Sequence, residues 1–361
     1  MNYACDQPGS VRPGEELDAE AVGEYLRGVI PGLTGSPGVR QYRGGASNLT
    51  YEVSFGSDAF VLRRPPFGTK AKSAHDMGRE FRIQKLLGSA FPYVPETIVY
   101  CSDESVIGSE FYVMKRLNGI ILRADFPKDL ELDRGRITLL CRHIIDCLIE
   151  LHQVDTMGAG LGEIGKGEGY VRRQIDGWSR RFRDARTDNV PDFEEVMAWL
   201  DANVRDDAAT CVIHNDFRFD NIVLDPGDPT KVIGILDWEM ATVGDPLMDL
   251  GNSLAYWIES TDEPLLKMMR RQPTHLPGMM TRNDVIAYYS ERMGLGEVDF
   301  GFYRIYGLFR LAVIIQQIYY RFHHGQSSNP EFAGFYRMVS FLDGYCRRTI
   351  ESQEGRKGVE P

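Results

Sequence analysis

The chain has 361 residues, 43% of them hydrophobic and 26% charged, which is enough for two ordinary domains or one large two-lobed unit with its own buried core. That balance excludes a disulfide-stapled miniprotein and a disordered or fibrous chain. Lys and Arg number 41 against 52 Asp and Glu, a net charge of −11 that repels polyanions and makes nucleic acid a poor partner.

In chain order, the first predicted element is a helix over Leu17–Ile30, closed by Pro31 and Gly32 and followed by a Gly/Pro/Ser stretch to Gly38. Tyr51, Val53 and Phe55 alternate with polar residues, Gly56, Ser57 and Asp58 supply a turn, and Ala59–Arg63 runs on as a second strand, which together read as a hairpin. A helix over His75–Leu87 follows, then strands at Thr97–Cys101 and Phe111–Met114. Beyond Gly119 helical periodicity dominates, at Arg136–Leu151, Tyr170–Phe182, Val285–Met293 and Phe302–Phe322, interrupted by a β-rich island at Cys211–Leu236. The change of character near residues 115–119 predicts an N-terminal lobe over 1–115 and a C-terminal lobe over 116–361, with the last ten residues a loose tail.

No apolar run, Leu254–Ile258 and Leu311–Ile315 among them, exceeds five residues, where a membrane span needs about twenty, so no membrane partner is expected. The N-terminus lacks the basic start and apolar stretch of a secretory signal, which predicts a cytoplasmic protein. Six cysteines, with no C-x-x-C pair, read as buried thiols.

The β-rich island carries the densest polar cluster: His214-Asn-Asp-Phe-Arg-Phe-Asp-Asn221, then Asp237-Trp-Glu239. Strands Ile222–Leu224 and Val232–Leu236 flank a Pro/Gly/Asp turn. A hairpin symmetric about residue 229 sets Asn221 opposite Asp237, so that an amide oxygen and a carboxylate converge as ligands for a hard cation such as Mg2+. Asp216 leaves the preceding strand at the same end, within reach of a substrate hydroxyl beside the metal. Asp and Asn also favour turn and cap positions for purely structural reasons, but the spacing and the two strands favour chemistry. Upstream, Arg43-Gly44-Gly45-Ala-Ser47-Asn48 precedes the first hairpin strand. Its glycines let the backbone approach phosphate oxygens, while Ser47 and Asn48 add short donors. On the following helix Glu80 shares a face with Ile83 and Leu87, so a carboxylate sits on an apolar stripe and needs a partner.

The run His214-x-Asp216-x-x-x-x-Asn221 with Asp237 resembles the catalytic loop and metal segment of the protein-kinase-like fold, and His-Asn-Asp-Phe-Arg-Phe-Asp-Asn with Leu-Asp-Trp-Glu resembles the aminoglycoside phosphotransferase and choline-kinase-like family. Gly45-Ala-Ser-Asn-Leu-Thr-Tyr51, Val61-Leu-Arg-Arg-Pro-Pro66 and Phe111-Tyr-Val-Met114 are similar to the phosphotransferase domain fused to acyl-CoA dehydrogenases in some larger proteins. The resemblance implies an α+β, two-lobed kinase-like fold binding ATP and Mg2+. It makes Asp216 the catalytic base, Asn221 and Asp237 the metal ligands, His214 a structural residue and Asp249 a brace beneath the catalytic loop. Arg63 stands where most of the family carries the phosphate-gripping Lys, with Glu80 as its partner, and the backbone near Met114–Arg116 would meet the adenine edge. Arg64 would face away and be solvated. Asp245 reads as an N-cap with Pro246 at the first helical position.

Residues 172–186 hold six Arg and two Asp. They read either as a solvated helix face or as a site, through Arg172, Arg173, Arg180 or Arg181, that attracts an anionic acceptor such as a hydroxyacyl-CoA or hydroxy acid and repels an aminoglycoside. The function expected is transfer of the ATP γ-phosphoryl group to a small-molecule hydroxyl. The alternative is a catalytically silent, pseudokinase-like nucleotide-binding module. A dehydrogenase is disfavoured because the two lobes leave no room for a flavin domain, and a protein kinase because no Ala-Pro-Glu segment follows Asp237.

Overall fold

The computed structural model describes residues 7–42, 48–67 and 76–357. The N-terminal part is built on helix α1 (Ala19–Val29), strands β1 (Gly38–Gln41), β2 (Leu49–Phe55) and β3 (Asp58–Arg64), helix α2 (Met77–Leu87), and strands β4 (Thr97–Cys101) and β5 (Phe111–Lys115). The strands form one antiparallel sheet in the order β1-β2-β3-β5-β4. Asp18 and Asp76 cap the two helices by accepting from the backbone N–H of Ala21 and Arg79.

Strand alternation assigns each residue to a layer. Phe60, Leu62, Phe111 and Val113 join Val22 and Leu26 of α1 in one apolar cluster, while Val61, Tyr112 and Met114 pack with Met77 of α2 on the opposite face. Arg63 therefore faces α2 and Arg64 faces the α1 side. Arg64 is not solvated, as the sequence suggests, but only 3% exposed. It donates to the carbonyls of Pro65 (3.2 Å) and Ile107 (3.1 Å), and its guanidinium carbon lies 3.8 Å from the Phe67 ring centroid. Alternation gives the face of a residue but not what covers that face.

The remainder is mainly helical. It comprises β6 (Ile120–Ile121), α3 (Arg134–His152), α4 (Tyr170–Ala185), α5 (Glu194–Ala202), β7 (Cys211–Ile213), β8 (Ile222–Leu224), β9 (Val232–Ile235), β10 (Thr242–Gly244), α6 (Pro246–Ala255), α7 (Pro264–Met268), α8 (Arg282–Met293), α9 (Gly301–His323) and α10 (Phe335–Lys357). The short strands form two antiparallel units, β6-β8-β9 and β7-β10. Helix α9 runs through the core, and its contact with α6 is backbone to backbone. A methyl group on Gly307 would overlap the Gly251 carbonyl oxygen, and one on Gly251 would lie 2.6 Å from the Tyr303 carbonyl oxygen. Only glycines permit that approach, which brings Asp249 of α6 and Arg310 of α9 to the same loop.

Two sequence expectations change here. Leu224 pairs with Val232 across a bulge, so Ile222 faces Ile235 and the Leu236 N–H donates to the Asn221 carbonyl at 2.7 Å. Asn221 thus opposes Leu236, one residue short of the symmetric register, because the turn closes on residue 228 and the extra residue of the bulge in β9 makes up only part of the offset. Helix α10 continues to Lys357, through most of the predicted tail. Its signal was available in Val339, Leu342, Cys346 and Ile350, which share one buried face. Strand β1 and helix α5 were not anticipated. Cys101, Cys141, Cys147, Cys211 and Cys346 are free and buried, as expected, and Cys5 lies outside the described residues. No helix among the described residues is long and apolar enough to cross a membrane.

Candidate active site

The loop after β7 is held from below by one carboxylate. Asp249, fully buried on α6, accepts the backbone N–H of His214 (2.8 Å) and Asn215 (2.7 Å) and lies 3.1 Å from His152 Nε2. Burial pushes the Asp249 carboxyl up, but its bond to His152, the nearby histidines and the donated amides outweigh this, so it sits below the usual carboxylate value. His214 Nδ1 accepts from the Asp216 N–H at 3.2 Å, which leaves Nε2 as the protonated nitrogen, donating to the Leu236 carbonyl at 3.0 Å. The imidazole thereby ties the Asp216 loop to the Asp237 loop.

Asp216 is met by two neighbours. Arg218 places Nε 3.0 Å from Oδ1 and donates from Nη2 to Oδ2 at 3.0 Å, and Asn221 donates from Nδ2 to Oδ2 at 3.0 Å and to the Asp216 carbonyl at 2.8 Å. A carboxylate has about four lone-pair sites. Two are taken, both on Oδ2, whereas Oδ1 meets Arg218 Nε as an ion pair without a hydrogen bond. Both amide N–H groups of Asn221 point at Asp216, which frees its carbonyl oxygen for another task. Arg218 also lies 3.5 Å from Asp220 and 4.6 Å from the Tyr256 ring centroid.

The other half of the site crosses between the lobes. Arg63 of β3 donates from Nη2 to Asp237 Oδ1 at 2.9 Å, and Nη1 lies 3.3 Å from Glu80 Oε1. Tyr112 donates to the same Glu80 oxygen at 2.9 Å, and Gln84 donates to the Tyr112 hydroxyl. Glu80 is 1% exposed, and burial raises its pKa in spite of Arg63. Asp237 goes the other way: burial pushes it up, but the Arg63 charge and hydrogen bond pull it further down, helped by Arg218. Its backbone lies in the left-handed region at φ 67°, as does that of Asn215 at φ 66°, a local strain of about 1–3 kcal/mol each that the surrounding bonds sustain. Lys has three N–H donors but on a single nitrogen, so it cannot reproduce the fork by which Nη1 faces Glu80 and Nη2 faces Asp237. Arg63→Lys is therefore expected to cost about 1.5 kcal/mol of stability through the weakened charged hydrogen bonds, which urea unfolding would measure.

Of the remaining predicted residues, Asn48 donates to Glu239 at 2.7 Å, and Glu239 lies 3.8 Å from Arg63. Gly44, Gly45 and Ser47 lie outside the described residues. Met114 is buried at the end of β5. The N–H groups of Lys115 and Arg116 are bonded to the carbonyls of Glu96 and Ala59, and the Arg116 side chain pairs with Glu52 at 3.0 Å. Arg172 pairs with Asp201 and Asp176, and Arg173 donates to the carbonyls of Gly167 and Glu168, both at the periphery of α4. Neither touches the Asp216 cluster. Arg218, Glu239 and Arg79, which donates to the carbonyls of Glu239 and Ala241, were missed. Arg218 was signalled by its place between Asp216 and Asp220, whereas the Arg79 contact spans 160 residues and leaves no local pattern.

A five-stranded sheet above a helical lobe, with an arginine bridging to an Asp in the second lobe and an Asp–Asn pair on a braced loop, defines a kinase-like phosphotransferase architecture. The chain belongs to the phosphotransferase enzyme family, whose model matches residues 38–281. It is 34% identical over 349 residues to acyl-CoA dehydrogenase family member 11 of Gallus gallus, covering 93% of this chain and 44% of that protein, so it spans less than half the length of this curated relative. Among solved structures it is similar to a Ralstonia eutropha protein of the aminoglycoside phosphotransferase type, at 26% identity and a TM-score of 0.78, covering 93% of this chain and 99% of that one. It shares the fold of a thermostable mutant aminoglycoside phosphotransferase in ternary complex with AMP-PNP and hygromycin B, at 15% identity and a TM-score of 0.56, covering 92% and 99%.

Proposed function

We propose that the chain transfers the γ-phosphoryl group of ATP, with Mg2+, to a hydroxyl of a small molecule. The observation that carries this reading is the convergence of Arg63, anchored by Glu80, on Asp237, beside a loop in which Asn221 and Asp216 are bonded to each other. The donor set suits the cation. Asn221 and Asp237 offer hard oxygens, and Asp237 is held ionised below the usual carboxylate range. Bound Mg2+-ATP supplies the phosphoryl group and neutralises its charge.

The residues of this chain do the rest. Arg63, steadied by Glu80, offers a fixed cation to the phosphates. Asp216, whose Oδ1 accepts no hydrogen bond, takes the hydrogen bond and then the proton of the acceptor hydroxyl, while Arg218 keeps the carboxylate aligned. The adenine edge falls to main-chain groups at the end of β5. A catalytically silent module would be expected to lack Asp216, Asn221 or Asp237, and all three are present.

For the acceptor, a hydroxyacyl-CoA or hydroxy acid fits the arginine-rich α4 better than a cationic aminoglycoside. With Arg172 and Arg173 held by their own neighbours, Arg181, 4.5 Å from the Trp178 ring centroid, is the cation of that helix favoured to act. The test is ADP release from Mg2+-ATP with a panel of hydroxyacyl-CoAs, hydroxy acids, choline, sugars and aminoglycosides, with Asp237→Asn as control. Stimulation by one class, lost in Asp237→Asn, is the expected result. ATP turnover that is indifferent to every alcohol and to the substitution would overturn the reading.

A further inference from the structure

Helix α9 carries a buried cation that core packing does not explain. Arg310 is 2% exposed, and among the described residues no carboxylate pairs with it. Its guanidinium carbon lies 5.1 Å from the Trp178 ring centroid, and Arg181, a second cation, lies over the same ring. Burying an unpaired guanidinium is costly, and a Met or Leu would fill the same volume without that penalty.

The one strong bond Arg310 makes runs to the catalytic loop. Nη2 donates to the main-chain carbonyl of Asn215 at 2.8 Å, and the guanidinium also reaches Met240 Sδ at 3.6 Å. Asn215 immediately precedes Asp216 and is a non-glycine residue in the left-handed region. Its other polar groups are all held. The N–H donates to Asp249, the side-chain amide donates to the Met240 carbonyl at 3.1 Å, and its oxygen accepts from Tyr170 (3.2 Å) and Asn252 (3.1 Å). The Asn215–Asp216 peptide is held at both of its polar groups: its N–H donates to His214 Nδ1 at 3.2 Å, and its carbonyl accepts from Arg310.

We propose that Arg310 is a positioning residue. It locks that peptide so that the Asp216 carboxylate presents its unbonded Oδ1 to the acceptor hydroxyl, a role that rests on the reading of Asp216 as the base. The long reach from α9 is available because the Gly307–Gly251 contact sets α9 directly against α6, one turn before Arg310.

The test uses Arg310→Met, Arg310→Lys and Arg310→Ala. ADP release from Mg2+-ATP is followed with the panel alcohol giving the highest turnover, or with water as acceptor if all are silent. Arg310→Met is expected to lower kcat about 100-fold, the usual consequence of a misplaced catalytic group, with the KM for ATP unchanged and Tm unchanged or raised. Millimolar guanidinium is expected to restore part of the turnover of Arg310→Ala, Arg310→Lys is expected to be intermediate, and a crystal structure of Arg310→Met is expected to show the Asn215–Asp216 peptide rotated. Wild-type kcat in Arg310→Met, or an Asn215–Asp216 peptide that has not moved, overturns the proposal. If Arg310→Met fails to fold, guanidinium rescue of Arg310→Ala decides. Full turnover in Arg310→Met beside an inactive Asp216→Asn defeats this inference alone, whereas full turnover in Asp216→Asn defeats the functional reading beneath it.

Discussion

Asp216→Asn is expected to lower kcat by about 10³-fold, within the range typical of a lost general base, while the Kd for ATP changes little. The asymmetry follows from where the side chain points. Its contacts are Arg218 and Asn221 on the catalytic loop, whereas Arg63, the proposed phosphate grip, is held by Glu80 and Asp237 and not by Asp216. Asn keeps the shape and can still accept from one neighbour. It cannot take a proton from an alcohol, and it removes the charge facing Arg218, whose guanidinium is left beside Asp220 alone. Rapid-quench turnover and calorimetric ATP titration on the same preparation separate the two effects. Equal losses in both would mean that Asp216 serves nucleotide binding.

Asp249→Ala is expected to cost about 3–5 kcal/mol of stability at neutral pH, the largest structural effect of any single change at the site. Two backbone N–H groups and the His152 imidazole lose their shared acceptor in a fully buried position, and each buried unsatisfied donor costs about 1–3 kcal/mol before relaxation. The loss has a defined pH dependence. The folded-state pKa of Asp249 is depressed relative to the unfolded value of about 3.8, so its contribution is fully present above that value and fades as pH falls through the folded pKa. Urea unfolding of wild type and variant should therefore differ most near neutrality and converge in acid. A difference that is constant with pH would mean that the carboxylate charge plays no part.

Most of the site was readable from the chain because its chemistry is local. His214, Asp216 and Asn221 lie within eight residues, and a turn between two apolar strands returns the chain to Asp237. The Arg63–Glu80 pair could also be anticipated, since a carboxylate on an apolar helix face demands a partner and the family resemblance implies Arg63 in that place. What failed was register and surroundings. The turn closes on residue 228, so that even with the bulge Asn221 lies opposite Leu236, and Arg64 was enclosed by Phe67 and the Ile107 loop. The arginine excess on α4 was visible, but not that Arg172 and Arg173 are held by Asp201, Asp176 and main-chain carbonyls.

By itself the sequence determined the two-lobed α+β architecture, the helices and strands with regular apolar spacing, and the identity of the short-range polar cluster, since periodicity and turn chemistry act over a few residues. Tertiary structure alone decided which groups hold that cluster in place. The Asp249 brace, the Arg310 bond to Asn215 and the interlobe contacts of Arg63 with Asp237 and of Asn48 with Glu239 join residues 34 to 191 positions apart. Such contacts depend on how whole elements pack, above all on the glycine-to-glycine seating of α9 against α6, and no local pattern of residue types encodes that geometry.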